Sequence, residues 1–171
     1  KIKNVKETTP KSFEILDASE FVKYPNKEDI EAATLVLLNQ TNFKLSKREL
    51  KNIVQENQEL QSLVTVSTNA KIIYFEYLSG DKETITLMQK TISSSDELSS
   101  VKFYEIIPKE IASDIDEIEM LFEYEIIERD PVIEIDISKI KGFTYYIKRR
   151  VSLDDVEKIR SVLLSEDLKV E

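Results

Sequence analysis

A chain of 171 residues, 41% hydrophobic and 33% charged, can bury one substantial core or a core with a small appended lobe, and no apolar run approaches the ~20 residues of a membrane span. It contains no Cys, His or Trp, only two Gly and four Pro, which removes zinc and iron–sulfur centres, disulfides, thiol nucleophiles, imidazole-based triads and glycine-rich phosphate loops. The net charge of −9 disfavours nucleic acid as a partner, and the one basic cluster, Lys148, Arg149 and Arg150, is too short to reverse that.

The opening 25 residues predict a short strand around Phe13, Ile15 and Leu16, then a turn at Tyr24, Pro25 and Asn26. Because it opens on Lys1, the chain reads as a processed or excised piece, with any signal peptide or anchor outside it. Ile30, Ala33, Thr34, Leu37 and Leu38 follow the stripe of an amphipathic helix limited by Asn26 and Asn39. A second helix starts at Ser46, with Glu49 three residues on completing a capping box, and buries Leu50, Ile53, Val54 and Leu60. Joined by NFKL, the two helices are expected to form a hairpin. Asn39, Gln40 and Thr41 make an N-x-T triplet, so Asn39 is a glycosylation candidate if the chain is secreted.

From Leu63 the pattern changes to strands. LVTVST and IIYFEYL lead through the turn SGDK, with Gly80, into TITLMQKTI, a hairpin by its alternation. A polar loop over residues 93 to 100 precedes VKFYEII, which Pro108 closes. KEIASDIDEIEM is a helical or turn segment, and FEYEII, VIEIDI and GFTYYIKRR are further strands. Phe143, Tyr145 and Tyr146 suit a sheet core better than a recognition patch. Ser152 and Asp155 give a second capping signature, opening a final helix with Leu153, Val156, Ile159 and Leu163 inward.

The expected fold is therefore α+β: an antiparallel β-sandwich of Ig-like type, preceded by a helical hairpin and followed by a C-terminal helix. Its division is residues 1–60, an N-terminal strand with the hairpin, and 61–171, the sandwich with its helix. Richness in Glu and Lys with few Gly is compatible with a thermophilic source.

The acidity is local. Residues 114–136 hold ten of the 33 acidic groups and one of the 24 basic ones, so they carry the entire −9. A fold-back near Arg129 and Asp130 places Glu123 opposite Asp136 and Glu125 opposite Glu134, four carboxylates on one face. Like charges directly opposite destabilise a sheet by roughly 0.2–1 kcal/mol per pair, so a compensating charge is expected. One candidate is calcium, the oxygen-seeking cation suited to a chain without His or Cys; the other is internal pairing with Lys148 and Arg150. DIDEIE lacks the central Gly and terminal Glu of a calcium loop, and a glycosidase pair would want aromatic platforms that a Trp-free chain supplies poorly.

One resemblance adds to this. Ile107, Pro108 and Lys109 with Ala112 and Ile118, then Asp130, Pro131 and Val132, then Tyr145, Tyr146 and Ile147 form an IPK…DPV pattern that resembles archaeal cell-surface, S-layer-associated β-sandwich domains over residues 60–152. The position after DPV that is often aromatic is Ile135, and the Gly-rich turn before the last strand is reduced to Gly142. The resemblance implies a noncatalytic, extracellular structural or adhesive module with no catalytic or cofactor residues to transfer, acting through a protein partner or self-assembly. The alternative is a cytoplasmic adaptor offering the helical hairpin to a partner helix.

Overall fold

In the computed structural model, which describes residues 2–41, 44–94, 100–138 and 140–165, two antiparallel sheets and a pair of helices stack in layers. A seven-residue helix α1 (Ile2–Thr8) leads into β1 (Pro10–Lys23), far longer than the short strand expected. Helices α2 (Lys27–Thr41) and α3 (Lys47–Ser62) follow. Asn26 and Asp29 exchange side-chain and backbone hydrogen bonds at the start of α2, which runs past Asn39. At α3 the capping box is present as expected: the Ser46 hydroxyl accepts from the Glu49 amide, and the Glu49 carboxylate accepts from the Ser46 amide. The NFKL connection and the polar loop at 93–100 lie partly outside the described residues.

Strands β2 (Val64–Tyr77) and β3 (Lys82–Ser94) form the predicted hairpin in continuous register from Val64↔Ser94 to Glu76↔Lys82. Gly80, at φ 92°, takes the left-handed position that closes the turn. Then come β4 (Val101–Ile106), a 3₁₀ turn at Ile115–Glu117, β5 (Ile118–Met120), β6 (Glu125–Glu128), β7 (Val132–Asp136) and β8 (Gly142–Ile147). The first sheet runs β1-β2-β3-β8-β5. The second runs β6-β7-β4-β9, where β9 is Arg160–Ser165.

β9 corrects the expected C-terminal helix. Ser152 does cap a helix, accepting from the Asp155 amide, but that helix, α4 (Leu153–Val156), lasts one turn. Ser161, Val162, Leu163 and Leu164 are buried in succession because β9 is covered on both faces, and such a run suits a strand between two layers. Ile159, in the turn that follows α4, and Leu163, in β9, are both buried as expected.

The pleat explains the layering. Val66, Ala70, Met88 and Ile147 of the first sheet meet Phe103, Ile133, Ile135 and Leu163 of the second in one core. On the far side of the second sheet, Tyr104, Val162 and Leu164 meet Ile30, Ala33 and Val54 of α2 and α3. β1 pairs along β2, and the helices cover β4 and β9, so segments before and after residue 60 share a sheet and a core.

Candidate functional site

Glu134 and Asp136 alternate with inward Ile133 and Ile135 along β7, so both carboxylates stand on the helix-side face of the second sheet. β6 pairs with β7 in the predicted register: Glu125 opposes Glu134 and Ile126 opposes Ile133. Asp136 opposes Lys102 of β4, and Glu123 lies before β6, so the expected Glu123–Asp136 strand pair does not form. All four acids nevertheless line a single concavity of about 530 Å³ with Lys102, Phe122 and Tyr124.

The compensating charge is Lys102, whose ammonium lies 3.1 Å from Glu134. The Tyr104 hydroxyl donates to the other Glu134 oxygen at 2.6 Å, so both oxygens of that carboxylate are engaged. Asp136 accepts from the Ser138 amide at 2.9 Å. Glu123 and Glu125 are exposed and make no ion pair among the described residues. Phe122 roots the wall in the core against Phe143, with ring centroids 4.8 Å apart, and Tyr124 packs edge-on to Phe122 at 5.8 Å. Among the described residues no three carboxylates converge as a metal ion requires.

Of the two basic residues expected to pair with these strands, Arg150 is exposed and makes no ion pair among the described residues, and Lys148 acts elsewhere, as does its neighbour Arg149. Lys148 bonds Glu119 at 2.5 Å, which raises its pKa, and Arg149 donates to the Glu110 and Ile111 carbonyls. The acids of DIDEIE form a latch: Arg129 reaches both Asp114 and Asp116 at 2.6 Å, and the Asp116 amide and Arg129 hold the Asp114 carboxyl below its usual range. The two motifs of the resemblance also meet. The Ile107 amide donates to the Pro131 carbonyl at 3.0 Å, and Lys109 pairs with Asp130 at 2.9 Å. Asn39 is exposed on the last turn of α2.

Sequence reasoning missed a second constellation. Between the sheets, Glu105 of β4 receives Lys90 of β3 at 3.0 Å, the Tyr145 hydroxyl of β8 at 2.6 Å and the Ser161 hydroxyl of β9 at 2.7 Å, while Lys90 donates to Ser161 at 3.1 Å. All four residues are buried. Burial, then the charge of Glu105 and its hydrogen bond, push the Tyr145 hydroxyl pKa well above its ordinary value. A Ser beside a Lys is the composition of an activated nucleophile, but here the hydroxyl is spent on Glu105 and none of the four lines the acidic concavity. The arrangement ties two sheets together.

No family model matches the chain, and no curated protein or solved structure matches it.

Proposed function

We propose that the chain is a noncatalytic structural or adhesive module whose acidic groove receives a lysine- or arginine-bearing segment of a partner protein. The observation that carries this reading is the groove's composition: Glu123 and Glu125, which make no ion pair among the described residues, beside the aromatic walls Phe122 and Tyr124. A guanidinium can take one carboxylate bidentately while stacking on a ring. A hard divalent cation wants several converging oxygens, and Lys102 already occupies Glu134. The noncatalytic part is supported by the buried Lys90, Glu105, Tyr145 and Ser161, which bond to one another. An Ig-like form for the two sheets and an extracellular archaeal surface setting rest on the resemblance of the IPK and DPV segments. The adaptor alternative loses its groove, because the apolar stripe of α2 and α3 is spent on Tyr104, Val162 and Leu164.

The test is calorimetric titration with a short arginine-rich peptide, and separately with calcium, on the wild type and on Glu123→Gln with Glu125→Gln. Peptide binding that weakens with salt and drops at least about tenfold in the variant supports the reading. Calcium stabilisation abolished by the same variant replaces it with a cation site. No response to either ligand overturns it.

A further inference from the structure

The two sheets treat their long edges differently. On the outer edge of β9 the Gln61 side-chain amide makes two hydrogen bonds to the backbone of Leu163, and Asn57 accepts from the Ser165 amide at 2.9 Å. Asn57 and Gln61 are one helical turn apart on α3, and Leu163 and Ser165 are two apart on a strand, so the helix caps the edge as a pairing strand would. The edge strands β5 and β6 are only three and four residues long. β1 is the exception. It spans 14 residues, is exposed continuously from Pro10 to Ala18, and pairs only with β2 among the described residues. Its interior lacks the Lys or Pro that blunts a natural edge, since Pro10, Lys11 and Lys23 stand at its ends.

The exposed part is also apolar on one face. Phe13 opposes Phe75 and Ile15 opposes Ile73, with Phe13 67% and Ile15 49% exposed. Phe13, Phe75 and Tyr77 form a row with successive centroids 6.3 Å apart. Register irregularities at Lys11 and Leu16 bound this face: beyond Leu16, Phe21 turns into the core while Val22 points out. The regularly paired stretch to be covered is therefore Ser12–Ile15, with Lys11 and Asp17 just beyond its two ends.

We infer that this edge pairs antiparallel with β1 of a second copy of the chain, about a two-fold axis at Glu14. That register sets Phe13 against Ile15 of the copy, twice, and extends the apolar row across both sheets. It also carries Lys11 towards Asp17 of the copy at both ends, opposite charges on a self-complementary edge. Lys11 holds Glu76 through an exposed surface pair, and Asp17 bonds the Ala18 amide, so neither is buried or locked. The one unfavourable contact is Glu14 against itself.

That contact makes the register testable. Sedimentation equilibrium across the micromolar range should show a reversible dimer. Ile15→Lys should make it monomeric while unfolding like the wild type at concentrations too low for the dimer, and Glu14→Gln should tighten it roughly two- to fivefold by removing the like-charge pair. Because the chain has no cysteine, Glu14→Cys gives one thiol per copy, facing its twin across about 4.5–5.5 Å between Cα atoms, within disulfide reach. It should oxidise to a covalent dimer while Glu20→Cys, away from the axis, should not. A wild type that stays monomeric throughout, or a dimer indifferent to Ile15→Lys, or equal cross-linking of the two cysteine variants, overturns the proposal.

Discussion

Lys90 and Glu105 meet 3.0 Å apart between the two sheets, with side chains 2% and 0% exposed. Removing one partner of such a pair leaves an uncompensated buried charge, whereas replacing the whole network by apolar groups of similar volume can be neutral or stabilising. Lys90→Met should therefore lower unfolding stability by about 3–5 kcal/mol in urea titration. The quadruple variant Lys90→Met, Glu105→Leu, Tyr145→Phe and Ser161→Ala should lose less than that single variant does. If its loss instead approaches the sum of the four single losses, the network contributes net stability and not only specificity of sheet pairing.

Tyr145 gives the same network a pH dependence. Its folded pKa is raised by burial first and by Glu105 second, so the hydroxyl keeps its proton where an unfolded tyrosine, near 10, releases it. A raised folded pKa means that the stabilisation is full below about pH 10 and is lost as pH rises above it, by up to about 1.4 kcal/mol per pH unit. Tyr77, pushed up to about 12 chiefly by its hydrogen bond to Glu83, adds to the fall in the same direction. Urea midpoints measured on either side of pH 10 should decline with pH, and Tyr145→Phe should flatten the decline. A slope unchanged by that variant would place the titration elsewhere.

Gln61 is a strand substitute carried on a helix. Gln61→Ala leaves the amide and carbonyl of Leu163 without partners in a buried setting, at a cost of about 1–3 kcal/mol. It also uncovers the β9 edge, so the variant should aggregate faster on warming than Gln58→Ala one turn-face away, where no backbone is capped. Light scattering during a thermal ramp compares the two. Equal onset in both would mean that α3 shields β9 by packing alone.

What the sequence made legible was local chemistry with a short reach. Ser46 and Glu49 announced a helix start, Gly80 a hairpin turn, and the spacing of Glu125 and Glu134 a register, each set by neighbours a few residues away. β9 was misread because Ser152 is a true cap and Val156, Ile159 and Leu163 suit a helical stripe. Burial of β9 on two faces depends on α2 and α3, more than 90 residues earlier, and no local period records that. The long β1 was read as short since the bulge at Leu16 shifts its parity between Ile15 and Asp17. In the groove, Glu123, Glu125, Glu134 and Asp136 were found by alternation, but Lys102, which neutralises Glu134, comes from a strand that only topology brings alongside. A signal for the buried pair did exist. Lys90 shares the inward parity of Met88 and Ile92, and Glu105 that of Val101 and Phe103, one charge of each sign at a core position.

Gly142 connects that pair to the backbone beneath it. A Cβ added there would meet the Lys90 carbonyl oxygen at 2.5 Å, where β3 and β8 pair Thr91 with Gly142, so β3 would have to give way. The strain is steric, since only Gly80 of the two glycines has a positive φ. Gly142→Ala should cost about 1–3 kcal/mol, the range for overpacking a tight contact. Because the displaced atom belongs to Lys90, the loss should couple to Lys90→Met by more than about 0.5 kcal/mol in a double-mutant cycle, as contacts within one network do. Gly80→Ala meets no neighbouring atom and is penalised only by its backbone conformation, so its cost should add to Lys90→Met without coupling. Urea unfolding of the two cycles separates the cases: coupling at Gly142 and additivity at Gly80 show that the glycine exists to let Lys90 reach Glu105, whereas additivity at both would reduce Gly142 to a strand terminus with no bearing on the ion pair.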